Sequence, residues 1–337
     1  MMKAALTVLC FLAGLMPALA QGNYAIVDTM KIGGQGGWDY LTVDPQTHRL
    51  YVPRSTHTMV IDAGSGSVIA DIPGQKNAHG VALAPAAGRG FISDGGGDGA
   101  IVVFDLKTNA VLGTIAAMPD ADGIIFDSTD NRVLVVSGRG KSLMSFSPDI
   151  DPKAGKIQTI IPLAGEPEFL AVDSAGKAYV NLMTTNQVAV VDLKSNKVLA
   201  NWPVAPGGLP VGMAIDPRNG RLFIGCRGPQ MLIVMSTADG KVLAGLPIGK
   251  NVDAVKFDGG RAFVSTGDGN LYVAGETSPG QFSIQQTVPT AEGARTMGLD
   301  AATHRLYLPT AEFQDGANGR RAQKPDTFMI KVAAPAS

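Results

Sequence analysis

A short apolar triplet recurs along the chain at nearly regular intervals, and this repeat restricts the possible folds more than any other feature of the sequence. The triplets begin at residues 50, 90, 133, 178, 222, 262 and 306, so successive units are 40 to 45 residues long. Apolar runs rich in Val, Ile, Leu and Phe alternate with turns rich in Asn, Gly, Pro and Ser, as is typical of antiparallel strands. Four strands in each of seven units predict an all-β protein, a seven-bladed β-propeller of four-stranded antiparallel blades.

The two ends of the repeat region are complementary. The last unit ends near residues 328–332 and supplies only a third strand, whereas residues 24–32 form a spare strand at the start. Pairing these two segments would leave no exposed strand edge. We therefore predict that the N-terminal strand completes the last blade and closes the propeller. A single propeller domain would span residues 21–333, and residues 334–337 would form a short tail.

The first twenty residues have the layout of a secretory signal peptide. One cation, Lys3, precedes an apolar run over residues 4–16, and the small residues Ala18 and Ala20 come before the polar Gln21. The run is too short for a comfortable membrane span, and no other long apolar run follows. We predict a signal peptide over residues 1–20, no membrane span after its removal, and a periplasmic or secreted product. An uncleaved anchor is the alternative.

Charge and cysteine content exclude several classes of protein. Lysine and arginine number 28 against 29 aspartates and glutamates, a balance that argues against a nucleic-acid-binding protein. Of the two cysteines, Cys10 lies in the predicted signal peptide and only Cys226 remains. No intrachain disulfide can then form, and we interpret Cys226 as a small buried apolar side chain.

The repeats resemble those of the YVTN-repeat β-propeller family of exported bacterial proteins. The resemblance rests on VDPQTHRLYV at residues 43–52, IDPRNGRLFI at residues 215–224, and the related segments at residues 104–115 and 190–204. It covers nearly all of the chain after the signal peptide. It implies a periplasmic or secreted propeller, but it implies no activity, because that family has no single one.

A column of ionisable residues runs through the repeats. An Asp or its substitute recurs shortly before each triplet, and five positions before that Asp six of the seven units carry an ionisable residue. The first strand of each propeller blade lines a central channel, so these side chains should converge on one channel mouth. We predict a ligand-binding ring of Asp39, His79, Asp122, Glu168, Asp253 and Arg295.

This ring has two interpretations. In the first, Asp39, Asp122, Glu168 and Asp253, with His79 as a nitrogen ligand, hold a divalent cation or a cationic group of a substrate, and Arg295 orients an anionic part of the ligand. For an enzyme, the metal ligands would be Asp39, Glu168 and Asp253, and His79 would be the general base. In the second, the same side chains form a hydrated ring, partly neutralised by Arg295, that binds nothing.

These observations leave three classes of function. The leading hypothesis is a non-enzymatic, monomeric, exported binding module that holds a small molecule, or an exported or cell-envelope protein, at the channel mouth. The alternative is a metal-dependent hydrolase or lactonase-like enzyme, in which acidic channel residues hold a cation that activates water. A structural surface module is the third class. The longest loop, residues 310–327, is interpreted as a lid over the channel or as a flexible insertion.

Overall fold

Antiparallel strands run through the whole of the chain that a computed structural model describes, residues 22–316 and 321–336. Within those residues the helical elements are two three-residue 3-10 turns, Pro85–Ala87 and Met183–Thr185. The prediction of an all-β protein is confirmed. The predicted signal peptide, residues 1–20, lies outside the described residues.

Most strands belong to four-stranded antiparallel sheets. The first strand of the chain, β1 (Tyr24–Lys31), belongs to the last of these sheets. A seven-stranded sheet comes first and contains β2 (Thr42–Asp44), β3 (Arg49–Pro53), β4 (Ser55–Asp62), β5 (Val68–Ala84), β6 (Arg89–Asp94), β7 (Ala100–Asp105) and β8 (Val111–Ala116). The next sheet contains β9 (Ala121–Asp127), β10 (Arg132–Ser137), β11 (Ser142–Phe146) and β12 (Thr159–Pro162).

The following three sheets repeat the same order of strands. They contain β13 (Pro167–Val172), β14 (Lys177–Leu182), β15 (Gln187–Asp192) and β16 (Lys197–Pro203); β17 (Pro210–Asp216), β18 (Arg221–Arg227), β19 (Gln230–Ser236) and β20 (Val242–Pro247); and β21 (Val252–Asp258), β22 (Arg261–Thr266), β23 (Asn270–Ser278) and β24 (Gln281–Pro289). The chain ends with β25 (Gly298–Asp300), β26 (Arg305–Thr310), a two-stranded hairpin of β27 (Phe313–Asp315) and β28 (Arg321–Gln323), and β29 (Met329–Pro335).

The seven-stranded sheet forms because β5 pairs with strands of two successive repeat units. Its first half, from Val68 to Pro73, pairs with β4, and its second half, from Ala78 to Ala84, pairs with β6. Gly74 lies between the halves at φ +95°, a left-handed conformation in which an L side chain would be strained. The glycine therefore lets the chain pass from one group to the next without a loop.

The N-terminal strand completes the last sheet, as the sequence predicted. β1 pairs with β29 in the order β1-β29-β26-β25. Tyr24 pairs with Pro335 and Ala25 with Ala334, so β29 extends two residues beyond the predicted domain end at residue 333. The predicted short tail, residues 334–337, therefore begins inside a paired strand.

The hydrophobic core lies between neighbouring sheets. Phe91 and Phe146, from two successive sheets, pack edge to face with ring centroids 5.5 Å apart. Across another junction, the rings of Phe223 and Phe257 are stacked with centroids 5.2 Å apart. The first strands of successive sheets also contact one another: β5 with β9, β9 with β13, β13 with β17 and β17 with β21. β2 contacts both β5 and β25. Burial of apolar side chains at these junctions thus aligns the first strands side by side.

Most aspartates of the recurrent column have a structural role at the turn after the first strand. The Asp44 carboxylate accepts the backbone N–H of Gln46 and the hydroxyl of Thr47, and Asp216 accepts the backbone N–H of Arg218. Such Asx turns connect the first strand to the second.

Cys226 is fully buried, as predicted.

Within the described residues, no helix combines the length and the apolar character needed to cross a membrane.

Candidate functional site

The starts of the first strands carry the predicted ring and bring most of it together in two groups. Direct contacts join Asp39, His79 and Asp122 in one group. Asp253 and Arg295 belong to the second. The seventh position of the column, Val211, is fully buried in the core and takes no part in the ring.

His79 lies between two carboxylates. Its Nδ1 is 2.7 Å from Asp39 Oδ2 and 3.6 Å from Asp122 Oδ1, and its Nε2 is 2.7 Å from the side-chain amide of Asn77. Burial disfavours the imidazolium ion, but the hydrogen bond to Asp39 and the negative charges of Asp122 and Asp39 outweigh it and raise the pKa of His79 to about 9. The His79 imidazole therefore links the carboxyl groups of Asp39 and Asp122.

Burial and the charges of neighbouring carboxylates raise the pKa values of Glu168 and Asp122. Burial, followed by the charge of Asp253, raises the pKa of Glu168 to about 7 against the opposing charge of Arg227. Burial is also the main reason that the pKa of Asp122 is well above its usual range. Asp122 Oδ1 is buried and has no hydrogen-bond partner among the described residues. Burial and the neighbouring negative charges thus favour the protonated forms of Glu168 and Asp122.

One His and two Asp side chains have the geometry of a possible metal-binding group. Ligand atoms of Asp39, His79 and Asp122 all lie within 4.8 Å of one another. One imidazole nitrogen and two carboxylate oxygens are a donor set that suits Zn²⁺ or Mn²⁺. This group differs from the predicted set of Asp39, Glu168 and Asp253, because Asp253 is occupied by other partners.

Asp253 is the centre of the second group. Arg295 Nε donates to its Oδ2 at 2.6 Å, Arg227 Nη2 donates to its Oδ1 at 2.8 Å, and the Tyr40 hydroxyl donates to the same Oδ1 at 3.2 Å. The Asp253 side chain is 6% exposed, whereas that of Arg295 is 45% exposed. A buried carboxylate thus orients two guanidinium groups toward the channel mouth, which fixes their positions.

A cavity of about 520 Å³, here named the mouth cavity, opens beside these two arginines. Trp38, Arg227, Arg295, Phe313 and Gln323 line it, together with Gly37, Asn251, Gly267, Glu292 and Gly293. It combines guanidinium groups with aromatic walls, and its volume lies within the range of about 300–1,000 Å³ that is common for small-molecule sites.

The hairpin of β27 and β28 forms one wall of the mouth cavity. Arg321 donates to both carboxylate oxygens of Glu292, at 3.2 and 2.9 Å, and to Asp315 at 3.0 Å. The Phe313 ring lies edge-on to Trp38 with the centroids 6.3 Å apart. The described part of residues 310–327 is therefore a paired and tethered hairpin at the mouth, the position proposed for a lid.

Sequence reasoning missed several residues that the structure places along the channel: Trp38, Tyr40, Phe313 and Lys256. Trp38 and Tyr40 flank Asp39 and could have been inferred from that position. Lys256 could also have been recognised from the repeat. Two positions before the recurrent Asp, every other unit carries an uncharged residue: Thr42, Ala82, Ile125, Ala171, Ala214 and Gly298. Lys256 is the charged member of that column. Phe313 left no signal, because its place at the mouth depends on the fold of the hairpin.

No protein-family model matches the chain, and no curated protein matches its sequence. Solved structures do match. Hydrazine synthase from Kuenenia stuttgartiensis superposes with a TM-score of 0.71 at 13% identity, over 87% of this chain and 97% of that one. A chain in the crystal structure of a mitotic checkpoint complex superposes with a TM-score of 0.76 at 14% identity, over 100% of this chain and 99% of that one.

Both of these structures have β-propeller-type folds. At such low identity the likeness concerns the fold alone. The fold and the comparisons together place this protein in the class of β-propeller-type proteins.

Proposed function

We propose that the protein is an exported, monomeric, seven-bladed β-propeller of the YVTN-repeat type that binds a ligand in the mouth cavity. Five four-stranded sheets, and a seven-stranded sheet in which β5 serves two groups, support the count of seven. Pairing of β1 with β29 supports closure of the ring. The A-x-A pattern of the first twenty residues supports export to the periplasm or secretion.

The ligand is a small organic anion with a flat apolar part. The observation that carries this proposal is that the guanidinium group of Arg295 is only partly hydrogen-bonded. Its two terminal nitrogens make no hydrogen bond within the described residues, while Asp253 holds its Nε in place at the cavity wall. The side chain of Arg295 is 45% exposed, so its terminal nitrogens are accessible to a carboxylate while Asp253 holds the Nε.

The rest of the mouth cavity fits the other end of such a ligand. Trp38 and Phe313 offer aromatic surface for a ring or an apolar group. They line the same cavity as Arg227 and Arg295, so one molecule could contact both kinds of side chain. The same anionic group, carried on an exported cell-envelope protein, would be recognised in the same way.

Benzoate and its neutral counterpart benzamide test this proposal by titration calorimetry on the purified protein at pH 7. We expect the wild type to bind benzoate at least tenfold more tightly than benzamide, because only benzoate carries the charge that Arg295 recognises. Arg295→Ala should lose this preference while leaving Asp253 paired with Arg227. Arg218→Ala, an exposed arginine in the turn after β17, is the matched control and should bind as the wild type does.

The proposal fails if benzoate and benzamide bind equally well, or if Arg295→Ala binds benzoate with unchanged affinity. Circular dichroism and a thermal melt of each variant establish that the fold is intact.

A metal-dependent hydrolase or lactonase-like enzyme is the second candidate. The observation favouring it is the group of Asp39, His79 and Asp122, with ligand atoms within 4.8 Å of one another. Bound there, a divalent cation would lower the pKa of a water molecule. With His79 as a ligand, Glu168 becomes the group suited to proton transfer, since its pKa is raised to about 7.

Titration of the chelator-treated protein with Zn²⁺ and with Mn²⁺ tests this candidate. We expect one equivalent to bind to the wild type and to Glu168→Gln, but not to Asp122→Asn, because Asn lacks the anionic oxygen. Lactone hydrolysis should then require both the metal and Glu168. Absence of stoichiometric binding by the wild type rejects the candidate.

A further inference from the structure

A second cavity, here named the lower cavity, lies on the other side of Tyr40 from the mouth. Its volume is about 370 Å³, and it reaches the turn of Asp44 and Gln46 that follows the first strand β2. Tyr40 stacks on Phe169, with ring centroids 4.7 Å apart, while its hydroxyl bonds Asp253 at the mouth. This aromatic pair therefore separates the polar mouth from the lower cavity.

The walls of the lower cavity are mainly apolar. Leu41, Val43, Val81, Leu83 and Phe126 come from three neighbouring first strands and line it together with Phe169. The Asp44 carboxylate at its rim is already engaged by Gln46 and Thr47. The walls thus offer apolar contact to a ligand and few groups for hydrogen bonding.

Lys256 is the cation among these walls. Its Nζ lies 5.6 Å from the centroid of the Phe169 ring, so the side chain of β21 reaches toward β13. Among the residues that the structure describes, Lys256 Nζ forms no hydrogen bond and no ion pair. A partly buried ammonium group without such partners is costly to fold, so its presence calls for an anionic partner that the chain itself does not supply.

We propose that the lower cavity binds a monovalent organic anion with an apolar tail, whose carboxylate pairs with Lys256. One cation lines the cavity and Asp44 stands at its rim, so a single negative charge is matched and a second would be repelled. The tail would run from Lys256 along Leu41, Val43 and Leu83 toward the rim. This site lies apart from the mouth cavity and does not rest on the function proposed there.

Titration calorimetry with octanoate and octan-1-ol at pH 7 tests the proposal on the wild-type protein. Octanoate should bind with one-to-one stoichiometry and at least tenfold more tightly than octan-1-ol, since the two share the apolar chain and differ in charge. Lys256→Met should bind octanoate at least tenfold more weakly, with its affinity for octan-1-ol retained. Lys107→Met, an exposed lysine in the turn after β7, is the matched control and should bind both as the wild type does.

Two further variants locate the site. Leu83→Phe places a larger side chain in the lower cavity and should weaken both ligands. Arg295→Ala, at the mouth, should bind octanoate with unchanged affinity. The proposal is overturned if the wild type does not bind octanoate, if Lys256→Met binds it equally well, or if Arg295→Ala loses it.

Discussion

At the scale of single residues, aspartates have different roles according to their position in the fold. Asp44 and Asp216 accept backbone N–H groups of their own turns. Asp39 and Asp253 each lie five positions before the recurrent Asp of their own unit. Asp39 contacts His79, and Asp253 contacts Arg227 and Arg295. The first pair stabilises turns, and the second pair creates a charged site.

Two channel groups make the stability of the protein depend on pH in the same direction. The pKa of Glu168 is raised from 4.5 to about 7, and that of His79 from 6.5 to about 9. In both cases the folded protein binds the proton more tightly than the unfolded chain does. Protonation therefore stabilises the folded state, fully below the unfolded pKa, and this contribution is lost as the pH rises through the folded pKa.

We expect the free energy of unfolding to fall between pH 4.5 and 7 through Glu168 and between pH 6.5 and 9 through His79, by roughly 2–3 kcal/mol for each group. Urea unfolding at a series of pH values, in chelator-containing buffer, measures this. Glu168→Gln should flatten the first segment and His79→Gln the second. His48→Gln, at an exposed turn, should keep both slopes, and a wild-type stability that does not change with pH would contradict the assignment.

At the scale of elements, β1 joins the two ends of the chain and also contacts a neighbouring sheet. Tyr24 donates its backbone N–H to the Gln286 side chain at 2.8 Å and its hydroxyl to the carbonyl of His304 at 3.0 Å. Its ring packs on Phe263 with centroids 4.7 Å apart. Tyr24 is thus a buried anchor that fixes β1 both to β29 and to β24.

Tyr24→Ala should lower the free energy of unfolding by about 3–5 kcal/mol, the usual cost of removing a large buried aromatic side chain. Val27→Ala, in the same strand but 50% exposed, should change it by less than about 0.5 kcal/mol. Urea denaturation of both variants at one pH provides the comparison. A loss below 1 kcal/mol for Tyr24→Ala would show that β1 is not needed to hold the ends of the chain together.

At the scale of the whole molecule, the first strands of neighbouring sheets carry two unlike sites. The mouth carries the ionisable ring and the arginines, whereas the lower cavity is apolar and carries Lys256. Tyr40 and Phe169 stand between them. Neighbouring sheets contact through these strands, so the packing that forms the core also fixes the distance between the two sites.

Much of the architecture is local in origin, and the sequence was sufficient to predict it. Strand lengths, Asx turns and the repeat period depend on residues close together in the chain, so the all-β fold, the four-stranded units and the role of β1 could be inferred from their pattern. The candidate site could be inferred in part, because a residue's place in the repeat determines which strand it starts.

Only the tertiary structure decided which members of the ring touch. Contacts of His79 with Asp39 and Asp122, and of Asp253 with Arg227 and Arg295, join residues from separate repeat units, and their distances have no local signal in the sequence. Asp253, one of the predicted metal ligands, therefore contacts two arginines and not Asp39. The walls of both cavities, including Phe313 of the hairpin, likewise depend on how sheets pack around the channel. Sequence determined the units and their order, and packing between them decided the chemistry at the centre.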